Sequence, residues 1–224
     1  MLSVAADYDL VVVAGDHLDI ASPVEPHAQI AVVVEYLTRV SQRTTVVACS
    51  GNHDLDAEND LGERTACWLA TARDAGVLVD GTSLESNDTF VTVCPWWDGP
   101  GTRDLVDRQL AAAAARVDER LWVWVYHAPP DASPTSWTGT RHYGDEDLVG
   151  WIGRHQPAIV LTGHVHQSPF ARSGSWVDRI GSTVVFNAGR QRGPIPTHIA
   201  LDTRARRARW VSLAGVEEAS FARA

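Results

Sequence analysis

The residues of this chain best suited to chemistry fall into short stretches: Gly15-Asp16-His17-Leu18-Asp19, Gly51-Asn52-His53-Asp54, His127, and Gly163-His164-Val165-His166. In the second stretch, Asn52 offers a neutral oxygen to a hard metal ion. His53 offers a proton donor near neutral pH. Asp54 is placed to hold the imidazole in one tautomer. Taken alone, an Asn-His-Asp triplet reads as readily as a polar turn with a capping side chain. The other stretches, each with its own Asp or His, favour a cation-binding site. Mixed His, Asp and Asn ligands without Cys suit Mn, Fe or Zn better than a structural zinc.

Positioning these residues requires strands. The runs 9–14, 44–49, 121–126 and 158–162 are short and apolar, and each leads directly into one of the stretches. Such runs predict buried strands, and open α/β sheets place their sites beyond the C-terminal strand ends. Ile30, Val33, Val34 and Leu37 recur at helical spacing and predict a helix over 28–40, so the chain begins as a parallel strand-helix-strand unit. Further helices are expected over 63–75, 105–120 and 145–155, and shorter strands over 77–80 and 90–94. Beyond His166 the pattern turns to strands, at 175–177, 183–187, 197–202 and 208–213. Side chains two apart in an extended segment point the same way. His164 and His166 are therefore expected to face one centre or two adjacent ones.

Composition narrows the function classes. At 224 residues, with 45% hydrophobic and 21% charged residues, a folded single domain over 1–224 is expected. All 19 basic residues are Arg, and the formal net charge of −9 argues against a nucleic-acid or anionic-membrane surface. No apolar run spans a bilayer and the start lacks a signal-peptide core, so a cytoplasmic location is expected. Cys49, Cys67 and Cys94 show no zinc-type pairing and are expected to be reduced core thiols.

In order and kind, the stretches resemble the motifs of the calcineurin-like metallophosphoesterases: Gly-Asp-x-x-Asp, Gly-Asn-His-Asp, a lone His, and Gly-His-x-His. The resemblance covers nearly the whole chain. It implies an α/β fold, a four-layer α-β-β-α sandwich of two mixed sheets. It implies two divalent metal ions, with Asp16 bridging them. Asn52, His127 and His164 would complete one site, and His166 would belong to the other. His53 would face the leaving-group oxygen as general acid, and Asp54 would orient His53. In such sites, two cations roughly 3.5–4 Å apart clamp a phosphate and activate a water.

The family's first motif, Asp-x-His, has no counterpart here. Asp7 has no His two residues on, and Met1–Ala6 reads as the tail of a helix. The chain is therefore expected to lack a first strand and helix and to be incomplete at its N-terminus. Either a longer protein carries the motif upstream or one metal site has been lost. The second site would keep Asp16 and His166 alone, and the chain as written is expected to be poorly active and poorly soluble.

The expected function is hydrolysis of a small-molecule phosphoester, diesters slightly ahead of monoesters. A nuclease is an alternative that the acidic balance disfavours. A non-catalytic or one-metal scaffold of the same fold that binds a partner is the alternative outside enzymes. Trp96, Trp97 and the 131–144 loop are candidates for a pocket wall or lid. Arg141 and His142 are candidates to meet a phosphate, and Asn187-Ala188-Gly189-Arg190 to line the rim. His17, His27, His155 and His198 read as ordinary, and Asp19 as a support for Asp16 or a turn cap.

Overall fold

A computed structural model describes residues 7–86, 88–193 and 196–222. The expected helix tail at Met1–Ala6 lies outside the described residues. The chain forms two compact units, Met1–His127 and Ala128–Ala224.

In the first unit, β1 (Leu10–Ala14) and β2 (Thr45–Cys49) pair in parallel, Leu10 opposite Thr45 through Ala14 opposite Cys49, across α1 (Pro26–Ser41). The expected strand-helix-strand opening is thus present. Pro26 starts α1 where a missing N–H costs nothing. The apolar stripe of α1 buries Leu37 and Val40 and packs Ile30, Val33 and Val34 into a cluster with Val46, Ala48 and Val79. Burying one such side chain stabilises by about 1.5–3 kcal/mol.

The region after β2 departs from expectation. In place of a helix from residue 63, β3 (Ala57–Glu58) and β4 (Arg64–Thr65) form a two-residue ladder, and α2 covers only Leu69–Asp74. Side chains have taken the backbone donors a helix would use. Asn59 Oδ1 accepts the N–H groups of Leu61 (2.9 Å) and Glu63 (3.0 Å), and Asp98 Oδ2 accepts that of Arg64 (2.9 Å). Glu63 itself serves a distant helix, accepting the N–H groups of Gly101 (2.7 Å) and Thr102 (2.6 Å).

β5 (Leu78–Val79) joins β2 in parallel, giving a sheet of order β1-β2-β5. β6 (Ser83–Glu85) and β7 (Thr89–Val93) are antiparallel. α3 (Pro100–Ala114) follows, and β8 (Leu121–Val125) lies parallel to β7. α3 starts earlier than its apolar spacing indicated, because Gly99, Pro100 and the carboxylate of Glu63 build its first turn. It also ends before Arg120. Asp118 stands in a left-handed conformation (φ 52°) that no helix continues through.

The second unit opens with a 3-10 turn at Pro134–Ser136 and α4 (Glu146–His155). The Asp145 carboxylate caps α4, accepting the N–H groups of Asp147 (2.8 Å) and Leu148 (3.2 Å). β9 (Ile159–Thr162) runs parallel to β11 (Thr183–Asn187), and β10 (Val177–Ile180) runs antiparallel to β11. β12 (His198–Asp202), β13 (Arg207–Ser212) and β14 (Gly215–Ser220) form an antiparallel meander. β14 had no sequence signal, being nearly all exposed and without apolar alternation. The result is a mixed α/β fold with several sheets. Among the described residues, no helix is long and apolar enough to cross a membrane.

Candidate metal centre

The register that sets Ala14 opposite Cys49 brings the turn after β1 beside the turn after β2. The approach is closer than a side chain allows. A Cβ on Gly15 would lie 2.8 Å from His127 Cγ and 2.9 Å from the Gly51 nitrogen. A Cβ on Gly51 would lie 2.5 Å from the Asp16 nitrogen and 2.9 Å from His127 Cε1. The glycine opening each motif is therefore a packing requirement. Asp16 takes a left-handed conformation (φ 54°), which Asp tolerates better than most residues.

Asp54 fastens these two turns together. It is fully buried. Its Oδ1 accepts the N–H groups of His17 (2.8 Å) and Leu18 (3.0 Å), and its Oδ2 accepts that of Gly51 (2.8 Å). This corrects the expected role for Asp54. Among the described residues it makes no bond to His53; its partners are backbone donors of the two turns. The His53 imidazole lies nearer Asp16, Nδ1 to Oδ2 at 3.7 Å, and its N–H donates to Asp16 Oδ1 at 3.1 Å.

His127 is buried at the end of β8 and edges onto Trp96, ring centres 5.7 Å apart. Its Nδ1 lies 2.6 Å from the Ala14 carbonyl oxygen. A carbonyl only accepts, so Nδ1 carries the proton. A neutral ring then turns the Nε2 lone pair toward Asp16 Oδ1, 3.2 Å away. Two acceptors facing at that distance need a proton or a cation between them. The Asn52 side-chain oxygen is also buried, without a hydrogen-bond partner among the described residues. Buried acceptors are rarely left so. A carboxylate, an imidazole nitrogen and an amide oxygen form a donor set that fits a divalent ion such as Mn, Fe or Zn.

Burial pushes the Asp16 carboxyl up. When a proton, not a cation, fills the gap at His127 Nε2, the hydrogen bond and charge of that ring, then the N–H and charge of His53, outweigh it and bring the group down to about 2. Asp80, just beyond β5, goes the other way. Desolvation, reinforced by the negative charge of Asp54, raises it to about 7 against the pull of Ser50 and Arg73. Asp80 Oδ1 accepts the Ser50 N–H at 2.8 Å and so braces the base of the Asn52 turn. Asp80 was missed in the sequence, although an acid following an apolar run is the signal that identified Asp16.

A carboxyl with a raised folded-state pKa stabilises fully below its unfolded value of about 3.9 and loses that contribution as pH climbs through about 7. Asp80→Asn is therefore expected to raise the melting temperature at pH 8 and to change it little at pH 4. Thermal melts at the two pH values test this, and an equal shift at both rules it out.

Other side chains near these turns are structural. His17 Nε2 bonds the Cys49 carbonyl at 2.9 Å, and Asp19 Oδ1 caps the next turn through the Ala21 N–H at 3.0 Å. Burial, with Asp80 nearby, pushes the Cys49 and Cys94 thiols up, which removes them as nucleophiles. Cys67 is exposed, contrary to the expectation of a core thiol. The aromatic loop is pinned at both ends. Ser50 Oγ accepts the Trp96 N–H at 2.8 Å, and Thr102 Oγ1 accepts the Asp98 N–H at 2.9 Å.

In the second unit, His164 is not in the expected extended segment. Its φ is 61°, and the Val165 N–H closes a three-residue turn on the Gly163 carbonyl at 2.7 Å. The alternation rule for side chains two apart therefore does not apply there. Tyr143 stacks on the His164 ring, centres 4.8 Å apart, and Arg141 lies over Tyr143. His142 is taken up within its own loop, Nδ1 lying 3.0 Å from both Ser136 Oγ and the Ser133 carbonyl. His166 lines a cavity of the second unit with Arg190.

The sequence model of the calcineurin-like phosphoesterases matches residues 2–168. The chain belongs to that family. Calcineurin-like phosphoesterases are generally metal-binding hydrolases of phosphoester bonds. Two solved structures share the fold of this calcineurin-like phosphoesterase. One is 16% identical, with a TM-score of 0.58 over 99% of this chain and 92% of that one. The other, the crystal structure of TT1561 of Thermus thermophilus, is 14% identical, with a TM-score of 0.59 over 99% of this chain and 91% of that one. No curated protein matches the chain.

Proposed function

We propose that this protein is a metal-dependent phosphoesterase acting on small-molecule phosphoesters, diesters ahead of monoesters. The observation that carries the reading is the pair of facing acceptors, Asp16 Oδ1 and His127 Nε2, with the His127 tautomer fixed by the Ala14 carbonyl. Asp16, His127 and Asn52 hold the ion from the first unit. His164 and His166 keep the ligand roles that the Gly-His-x-His motif implies. A bound divalent ion supplies Lewis-acid polarisation of the phosphoryl oxygen and acidifies water. His53 stays out of the ligand set, partly exposed, and gives its proton to the departing oxygen. Asp54 keeps the Asp16 and Asn52 turns in register throughout.

Adding Mn²⁺ to EDTA-stripped protein is expected to raise its melting temperature. At about 100 times the Kd, binding adds about 2.7 kcal/mol, or roughly 5–10 °C for a domain of this size. The same preparation should hydrolyse bis(p-nitrophenyl) phosphate with Mn²⁺ and not with EDTA. Stabilisation without hydrolysis would assign the fold to a non-catalytic scaffold. Neither effect would remove the metal reading.

A further inference from the structure

Beside His166, the second unit encloses an open cavity of about 520 Å³, with Thr138, Gln167, Phe170, Arg190 and Arg192 in its wall. That volume lies within the range of small-molecule sites. We propose that this cavity seats a second phosphate of the substrate, so that the preferred substrates are esters of a nucleoside diphosphate. The proposal rests on the phosphoesterase reading and adds a substrate class to it.

Charge is the first argument. The chain is acidic, with 28 Asp and Glu against 19 Arg. Even so, neither the Arg190 nor the Arg192 guanidinium has a carboxylate partner among the described residues, and both residues are exposed. Two guanidiniums in one concave wall have the fork geometry that phosphate oxygens accept bidentately. The overall negative charge makes them a local site, not part of a nucleic-acid track.

Rigidity is the second argument. The segment carrying these arginines is fixed to the rest of the wall. The Arg190 N–H donates to the His166 carbonyl at 3.0 Å. Asn187 is fully buried, donating to the carbonyls of Thr135 and Val165 at 3.0 Å each and accepting the Gly189 N–H at 2.9 Å. Trp210 Nε1 donates to the Ala188 carbonyl at 2.9 Å, and the Gln191 N–H reaches Thr197 Oγ1 at 3.1 Å. The backbone from Asn187 to Gln191, which bears Arg190 and leads into Arg192, is thus held in place before any ligand arrives, with one point of attachment on His166 itself. Preorganisation of this kind favours a charged ligand, since little ordering is left to do.

The third argument is the apolar element. Phe170 is 40% exposed and lies against Trp210, ring centres 5.4 Å apart. Its outer face offers a flat platform to a base, with the amide of Gln167 and the hydroxyl of Thr138 as polar neighbours in the wall.

Calorimetric titration of the full-length, EDTA-treated protein with ADP, inorganic pyrophosphate and adenosine tests this without reliance on turnover. ADP and pyrophosphate are expected to bind, and R190Q/R192Q to weaken both by at least about tenfold. Phe170→Ala should weaken ADP and spare pyrophosphate. Absence of ADP binding, or ADP binding unchanged in R190Q/R192Q, overturns the proposal. Pyrophosphate weakened as much as ADP by Phe170→Ala overturns the base platform. Hydrolysis of bis(p-nitrophenyl) phosphate by the wild-type protein with Mn²⁺ tests the phosphoesterase reading separately. If the wild type does not hydrolyse it, that reading fails, and the ADP titration still decides the cavity.

Discussion

His53→Ala lowers turnover of an alkyl phosphoester by about 10²–10⁴-fold and leaves the Mn²⁺-induced rise in melting temperature intact. The expectation follows from where His53 stands. Its ring is partly exposed, and its one ion-pair partner among the described residues is Asp16, at 3.7 Å. It is close enough to the ligand carboxylate to share its reaction space without being spent on it. An alkoxide leaving group needs a proton at the moment of departure, whereas p-nitrophenolate leaves without one. The loss should therefore shrink strongly when p-nitrophenol is the leaving group. Steady-state kinetics on both ester types decides the matter. Equal losses on both, or lost stabilisation by Mn²⁺, would assign His53 to building the site instead of donating a proton.

Asp54→Ala is expected to cost roughly 3–5 kcal/mol of unfolding free energy, because it takes the shared acceptor from three backbone donors at once. The N–H groups of His17, Leu18 and Gly51 would lose their acceptor together, and a buried donor without a partner costs about 1–3 kcal/mol. Metal affinity should fall with stability, since the same carboxylate sets the Asp16 turn against the Asn52 turn. Asp54→Asn keeps one acceptor oxygen but turns an NH₂ toward a donor, so it should fall between the two. Urea unfolding reads the effect. A change within about 0.5 kcal/mol, the size typical of surface substitutions, would refute the fastening role.

The parallel opening of β1, α1 and β2 was legible because three local signals agree there: two unbroken apolar runs and a helical stripe between them. The glycines before Asp16 and Asn52 were legible as turns, but their reason was not. Gly15 and Gly51 answer to His127, whose position only the fold reveals. The role of Asp54 was misread for the same cause. Sequence neighbours suggested His53 as its partner, while two of its three donors come from a turn more than thirty residues earlier. Glu63 read as the start of a helix and is instead the cap of another. The left-handed backbone of His164 left no mark in the motif, because a spacing of two residues looks the same in a strand and in a tight turn.

The pinned aromatic loop has a consequence for selectivity. Its ends are held by Ser50 and Thr102, and the helix that follows is capped by Glu63 from the connection between β3 and β4. Trp96 is therefore presented at a fixed distance from His127. A ligand reaching this wall meets a surface whose conformational entropy was already surrendered during folding. It loses little affinity to loop ordering and gains none from adaptation. Were Trp96 the pocket wall that the sequence suggests, recognition there would work as a gauge does: groups that fit the gap would pass at full affinity, and wider groups would be refused by shape.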